Sequence, residues 1–275
     1  MKDFYKGKSA LITGGSSGIG LAIATELASY GCVVTLLARD EVKLGSAKAS
    51  IETKHPHAHV ETLSSDICDS DSLFALLDQF YTNHDVPDLV VNSAGFSHPG
   101  EFVDQSLDLF RQQMEINYLG TVYVLKSLVP RMIAKKSGHI VNISSAVGFL
   151  NIYGYSAYGA AKFAVTGLTE ALRMELKPHG INLHLAIPSD VKTPQLEYEN
   201  QYKPEVTKAI NKIGGLSDPE DVARDILDGV AKNKYLILPG ADVKFLYRAL
   251  QLLGKPFFFA YLDKIVSSTL KKLAK

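Results

Sequence analysis

Residues 9–38 read SALITGGSSGIGLAIATELASYGCVVTLLA, and their order decides the fold. Ser9 to Thr13 is a short apolar run of strand type, and the glycine-rich stretch Gly14 to Gly20 follows it at once. From Leu21 the apolar residues recur at helical spacing until Gly31 stops the pattern, and Val33 to Ala38 is a second strand-like run. Strand, glycine turn, helix and strand make a βαβ unit. Gly14, Gly18 and Gly20 fall in the pattern T-G-x-x-x-G-x-G, with Ser16, Ser17 and Ile19 between them. Small residues at such a turn let the backbone approach a pyrophosphate, and the helix behind it presents free amides and the positive end of its dipole. A glycine cluster alone is often only a tight turn; between a strand and a helix it reads as a dinucleotide loop.

The end of the second strand bears on which dinucleotide fits. An acidic side chain there binds a free ribose 2′-hydroxyl and repels a 2′-phosphate. Here the strand ends LLA and Arg39 follows, a residue that forks onto a phosphate, and Ser16 adds a hydroxyl donor. Asp40 reads as the cap of the next helix. NADP(H) is therefore the expected cofactor, against the bland reading of Arg39 as a solvated strand end.

The 275 residues suit a single α/β domain with a sizeable core, 46% of them hydrophobic and 21% charged. Twenty-nine basic residues balance twenty-nine acidic ones, so no global field draws the chain to nucleic acid. Cys32 and Cys68 match no metal spacing and read as reduced thiols of a cytoplasmic protein. His55, His57 and His59 alternate around Pro56 in a connection, which suits a solvated loop better than a metal site. No signal peptide or membrane span is apparent.

Beyond residue 38 the alternation continues. A helix is expected over 41–54, a strand over 59–63, and then Ser65-Asp66-Ile67, where Asp66 either accepts from an adenine amino group or starts a helix. A buried strand over 88–92 ends in Asn92-Ser93-Ala94-Gly95, small residues against which a flat cofactor can lie, with the Asn92 amide bracing the adjoining loops. A helix over 106–136 is interrupted near Ile116–Gly120, where the poor helix former Asn117 either holds a bulge or binds a water. The strand 138–143 delivers Ser144 and Ser145. Tyr158 and Lys162 then stand four apart on a helical run, hence on one face. A cation beside a phenol lowers its pKa from about 10 toward the working range. That expectation makes Tyr158 a proton donor and acceptor. Most Tyr-x-x-x-Lys matches are only a surface pair, so the motif needs company.

That company is present: Tyr158-Gly-Ala-Ala-Lys162, Ser145, Asn117, the Asn92–Gly95 segment and the Gly14/Gly18/Gly20 loop together resemble the short-chain dehydrogenase/reductase family over about residues 6–240. The resemblance implies one doubly wound, Rossmann-like α/β domain with a seven-stranded parallel sheet, assembled as a dimer or tetramer. It implies a catalytic set in which Tyr158 is the acid/base, Ser145 orients the carbonyl, Lys162 binds the nicotinamide ribose and Asn117 holds a relay water. Gly14, Ser16, Ser17, Gly18, Ile19, Gly20, Arg39, Asp66, Ile67, Asn92, Ala94, Gly95, Tyr158, Lys162, Val191 and Thr193 would line the cofactor. Ser93 stands where the family usually has a second Asn, and Ser189 where it usually has Gly after Pro188.

Residues 188–205, PSDVKTPQLEYENQYKPE, would form the substrate lid, with Val191 and Thr193 near the nicotinamide carboxamide. Their TPxxxxEN core resembles the branch of the family that reduces 3-keto sphingoid bases, which implies a long-chain apolar ketone as substrate. Another apolar ketone, steroid, retinoid or xenobiotic, is the alternative, and a non-catalytic NADP-binding protein the remote one. Catalytic residues would occupy 1–241 and an amphipathic extension 242–275. In that extension Val243, Leu246, Leu250 and Leu253 form one stripe, Pro256 is expected to break the helix, and a Phe-rich run leads into a second amphipathic helix ending in Lys271, Lys272 and Lys275. Seven basic residues against one Asp over 244–275 suit an anionic membrane interface. The open alternative is packing on the body or on another subunit. In that branch, eukaryotic members carry an N-terminal anchor that this sequence lacks, so a peripheral tail would serve instead.

Overall fold

The computed structural model describes residues 1–274. A short α1 (Lys2–Tyr5) precedes β1 (Ser9–Thr13), α2 (Gly18–Ser29), β2 (Val33–Ala38), α3 (Glu41–Lys54), β3 (Val60–Ser64), α4 (Ser70–Asn83) and β4 (Leu89–Asn92). Then come α5 (Leu107–Met114), a π-helical turn (Glu115–Leu119), α6 (Gly120–Lys135), β5 (Gly138–Ile143), α7 (Ser156–Leu176) and β6 (Ile181–Ala186). The last part holds β7 (Asp190–Val191), α8 (Pro194–Tyr202), α9 (Glu205–Asn211), β8 (Leu216–Ser217), α10 (Pro219–Ala231), β9 (Leu236–Ile237) and α11 (Ala241–Leu273).

Seven strands form one parallel sheet in the order β3-β2-β1-β4-β5-β6-β9, while β7 and β8 pair separately. The seven-stranded doubly wound sheet implied by the resemblance is the one observed. Successive side chains alternate between its faces. Ala10 and Ile12 of β1 enter one core with Ile23 and Leu27 of α2, Leu44 and Ile51 of α3 and Ile226 of α10. Leu11 enters the other, with Leu73 of α4 and Leu125 and Leu128 of α6. The chain reverses winding direction between β1 and β4, and in such sheets the crevice beyond the carboxyl ends of the strands at that point receives the ligand.

Helix starts follow the expected chemistry. Asp40 caps α3 by accepting from the Lys43 amide at 3.0 Å, and Asp69 caps α4. Three expectations are corrected. β3 begins at Val60, one residue after the expected His59. The tail bends at Gly254 (φ 74°), not at Pro256. Pro256 lies just inside the second half of α11, a first-turn position where its missing amide costs nothing. Leu253 is 48% exposed, whereas Val243 and Leu250 are buried on Phe149, Leu185 and Ile187. The first half of α11 thus packs on the body. In the second half Phe257, Phe259, Tyr261, Leu270 and Leu273 remain exposed. Lys275 lies outside the described residues. Among those described, no helix is long and apolar enough to cross a membrane.

Candidate active site

β1 ends at Thr13, and the glycine loop crosses the ends of β1 and β4. Gly14 takes φ 65°, and a methyl group there would lie 2.8 Å from the Ala94 Cα. On Gly20 a methyl would run into the Gly14 carbonyl oxygen, so α2 starts close under the loop only because both are glycine. Thr193 packs its methyl over Gly18, bringing the lid segment to the loop. Ser17 is the N-cap of α2 but makes no side-chain capping bond, and the first turn contains no acidic residue. The leading amides and positive dipole end of α2 are therefore left for an anion. The cradle fits a dinucleotide pyrophosphate.

At the ends of β2 and β3, Arg39 and Asp66 form an exposed ion pair at 3.5 Å. Asp66 also accepts from the Cys68 amide at 2.9 Å, so it shapes the turn before α4 as well as facing Arg39. The side chains of two expected cofactor residues are buried, Ile67 against Gly120 in one core and Val191 in the opposite core.

The loop after β4 is braced by Thr13, a residue the sequence reading passed over. Its hydroxyl accepts from the amides of Ser93 and Ala94, each at 3.1 Å. The expectation that Asn92 braces these loops is corrected: its amide donates to Asn142 of β5 at 2.8 Å, and Asn142 donates to Thr169 of α7 at 2.9 Å. This buried chain ties β4, β5 and α7 together, so Asn92 holds the catalytic helix to the sheet.

Asn117 sits in the π-helical turn between α5 and α6, fully buried. Its amide donates to the carbonyls of Phe96 and Gln113, both at 2.7 Å, and its Oδ1 accepts from the Phe96 amide at 3.2 Å. A side chain that bonds backbone groups in place of the helix ladder is a recognised cause of such bulges. Of the two readings open to Asn117, the side chain takes the bulge, and it pins the 95–96 loop beside Lys162.

Ser144 and Ser145 part company after β5. Ser144 is buried, its hydroxyl donating to the Lys162 carbonyl at 3.1 Å, while the Ser145 hydroxyl accepts from the Val147 amide at 3.4 Å and lies beside the Tyr158 phenol. Lys162, buried in the first turns of α7, donates to the Ile143 carbonyl at 2.9 Å, with its Nζ 5.6 Å from the Tyr158 ring centre. The expected lowering of the Tyr158 pKa by this cation is corrected. Burial, then the negative charge of Glu199, raise it well above the usual phenol value, with the Ser145 hydrogen bond opposing and Asp190 adding to the rise. Burial likewise brings the Lys162 ammonium down to about 8. Both effects favour the neutral phenol.

The lid closes over this group. Tyr198 of α8 hydrogen-bonds His98 at 2.8 Å, Gln195 donates to the Ser97 carbonyl at 3.4 Å, and Tyr155 donates to Glu199 at 2.6 Å. Tyr155 and Glu199 are the other residues that sequence reasoning missed. Glu199 lies inside the TPxxxxEN motif, but a motif does not say that its carboxylate is buried.

The short chain dehydrogenase family profile matches residues 8–204. A Danio rerio protein named 3-dehydrosphinganine reductase is 38% identical over 239 residues, covering 86% of this chain and 72% of its own. The Dictyostelium discoideum 3-ketodihydrosphingosine reductase is 34% identical, over 95% of this chain and 83% of its own. Among solved structures, a Sphingobium yanoikuyae short-chain dehydrogenase in complex with NADPH superposes with a TM-score of 0.77 at 26% identity, covering 91% of this chain and 95% of that one.

Proposed function

The chain belongs to the short chain dehydrogenase family, and from that premise we propose that it reduces the 3-keto group of 3-ketodihydrosphingosine to the alcohol with NADPH. The observation that carries the reading is the convergence of Ser145, Tyr158 and Lys162 at the carboxyl ends of β5 and α7's first turns, facing the glycine loop. Relatives 38% identical to this chain bear the name of this reductase.

The cofactor would be held by the α2 amides, Gly14, Gly18, Ser16, Arg39, Asp66 and the 94–95 backbone, and when bound it supplies hydride to the carbonyl carbon. Ser145 donates its hydroxyl hydrogen to the substrate oxygen and fixes its direction. Tyr158, held as a neutral phenol, donates the proton from its Oη as negative charge develops on that oxygen. Lys162 keeps one hydrogen on Ile143, stands beside Gly95 and would bind the nicotinamide ribose. Asn117 contributes by position, through the loop it pins.

A long alkyl chain would be taken up beside the tail. A cleft of about 560 Å³ opens between the 101–103 loop, the 151–156 segment and the second half of α11, lined by Phe102, Tyr153, Ile210, Phe259, Leu262 and Val266. That volume lies within the range of small-molecule sites. Residues 242–275 thus serve as an extension of the 1–241 catalytic domain that walls the chain's path, and their exposed Phe and Lys residues rest on an anionic membrane surface. Co-sedimentation with phosphatidylserine vesicles tests the last point: full-length protein pellets, protein truncated after residue 241 stays in solution, and equal behaviour contradicts it. The protein would assemble as a dimer or tetramer, measurable by light scattering. The substrate itself is tested by incubating the protein with 3-ketodihydrosphingosine and NADPH and identifying the product by mass spectrometry.

A further inference from the structure

The lid carries charge that carbonyl reduction does not require. Glu199 lies on the inner side of α8 with 8% of its surface exposed, accepting from the Tyr155 hydroxyl at 2.6 Å and from the Gln195 amide at 3.1 Å. Lys203, 5% exposed, stands 3.8 Å from Glu199 and 3.6 Å from Asp190, and Asp190 also accepts from Asn211 at 3.0 Å. Two carboxylates face one ammonium, which leaves one negative charge in excess. The Asp190 side chain is 38% exposed, whereas Glu199 is buried, and burial pushes its carboxyl above the usual carboxylate range, so Lys203 compensates it only in part. Burying an uncompensated charge is expensive, and its field reaches further in a low-dielectric interior than in water.

This excess lies beside the reacting centre. Tyr155, which donates to Glu199, precedes Tyr158 by three residues, and the two rings are 5.9 Å apart. Both Glu199 and Asp190 act electrostatically on the Tyr158 phenol. On the catalytic side, the Lys162 ammonium is turned onto the Ile143 carbonyl. A second feature points to a polar ligand. Ser97, whose carbonyl accepts from Gln195, is fully buried, and its hydroxyl has no partner among the described residues. An excess negative charge and an unused hydroxyl therefore lie on the same hydrogen-bond chain beneath the lid.

We propose that Glu199, with Lys203 and Asp190 as its partners on the lid, is a specificity-determining residue that favours ketones bearing an ammonium group on the carbon next to the carbonyl. The inference rests on the reading of the protein as a keto sphingoid base reductase and names the part of that substrate the lid selects. The cation lowers the electrostatic cost of the buried Glu199 carboxylate, so binding the right substrate and closing the lid reinforce each other. A ketone of equal chain length without the amine gains the cleft but not the charge.

Steady-state kinetics on two ketones of the same length, 3-ketodihydrosphingosine and the matching 3-ketone without the amino group, tests this with NADPH saturating. Wild-type protein should prefer the amino ketone by about tenfold or more in kcat/KM, a preference expected from one partly screened charge pair. Glu199→Gln should lose about tenfold or more of the preference for the amino ketone over the plain ketone, mainly through KM on the amino ketone. Glu199→Asp, which restores the charge, should recover the preference. An equal loss on both ketones in Glu199→Gln would make the residue a structural latch and overturn the inference. So would a wild type that reduces both ketones equally, a result independent of any variant's folding and one that leaves the reductase reading standing. A wild type that reduces neither overturns both.

Discussion

At the residue scale, the surroundings of Tyr158 favour the neutral phenol, because burial first and then the carboxylate of Glu199 oppose ionisation, while Lys162 gives a hydrogen to Ile143. A neutral phenol is the form that gives up a proton in the reductive direction. Tyr158→Phe should keep the circular dichroism spectrum and the unfolding midpoint within a few degrees while lowering kcat by about 10²–10⁴-fold; a variant with near wild-type turnover would remove the tyrosine from the mechanism. Thr13 makes a different prediction. Its hydroxyl serves two amides, so Thr13→Val leaves both without an acceptor and should cost about 1–3 kcal/mol in chemical denaturation, whereas Thr13→Ser stays near wild type. Equal stability of Val and Ser variants would mean that the loop does not depend on the bond. The contrast between these residues says what a sequence displays. Tyr158 and Lys162 are one helical turn apart, so their pairing is written in the spacing. The partners of Thr13 lie about 80 positions away and those of Glu199 are set by how the lid docks.

Elements show the same division. The βαβ unit at 9–38 is legible because strand, glycine turn and helix each have a local signature, and β1 and β2 keep the expected limits. The interruption at Asn117 was also visible, since a poor helix former sat in an apolar helical run; that it becomes a π-helical turn depends on the Phe96 loop it binds. Strands β7, β8 and β9, two residues each, have no periodicity to read. In the tail the sequence drew attention to Pro256, yet the bend belongs to Gly254, where positive φ places the second half of α11 against the cleft. Gly254→Ala meets no steric clash, its added carbon lying 3.5 Å from Pro256. The left-handed backbone alone should cost about 1–2 kcal/mol. The strain would loosen the joint, so limited proteolysis should cut the variant faster within 250–260, and an unchanged rate would show that the bend is not strained.

For the whole molecule, the active site occupies the carboxyl edge of the sheet and a histidine pair occupies the interior toward the opposite edge. His139 of β5 and His184 of β6 stack and share a hydrogen bond at 2.9 Å, with His184 also bonded to the Lys234 carbonyl. Burial first, then the neighbouring His184, lower the His139 pKa from 6.5 to about 4. A folded-state pKa below the unfolded one means that the unfolded chain binds the extra proton, so stability falls as pH drops from 6.5 to 4 and is unaffected above 6.5. The loss is up to about 3 kcal/mol. Urea unfolding at a series of pH values should show that slope, and His139→Asn should flatten it; an unchanged slope would place the acid sensitivity elsewhere. The strand order and the two-sided core put Ser145, Tyr158 and Lys162 opposite the glycine loop, so the central claim concerns that assembled crevice. Its most direct test is single: purified protein, 3-ketodihydrosphingosine and NADPH, with product followed by mass spectrometry and with NADH in parallel. The account predicts dihydrosphingosine formed faster with NADPH, and no dihydrosphingosine at high enzyme concentration would contradict it.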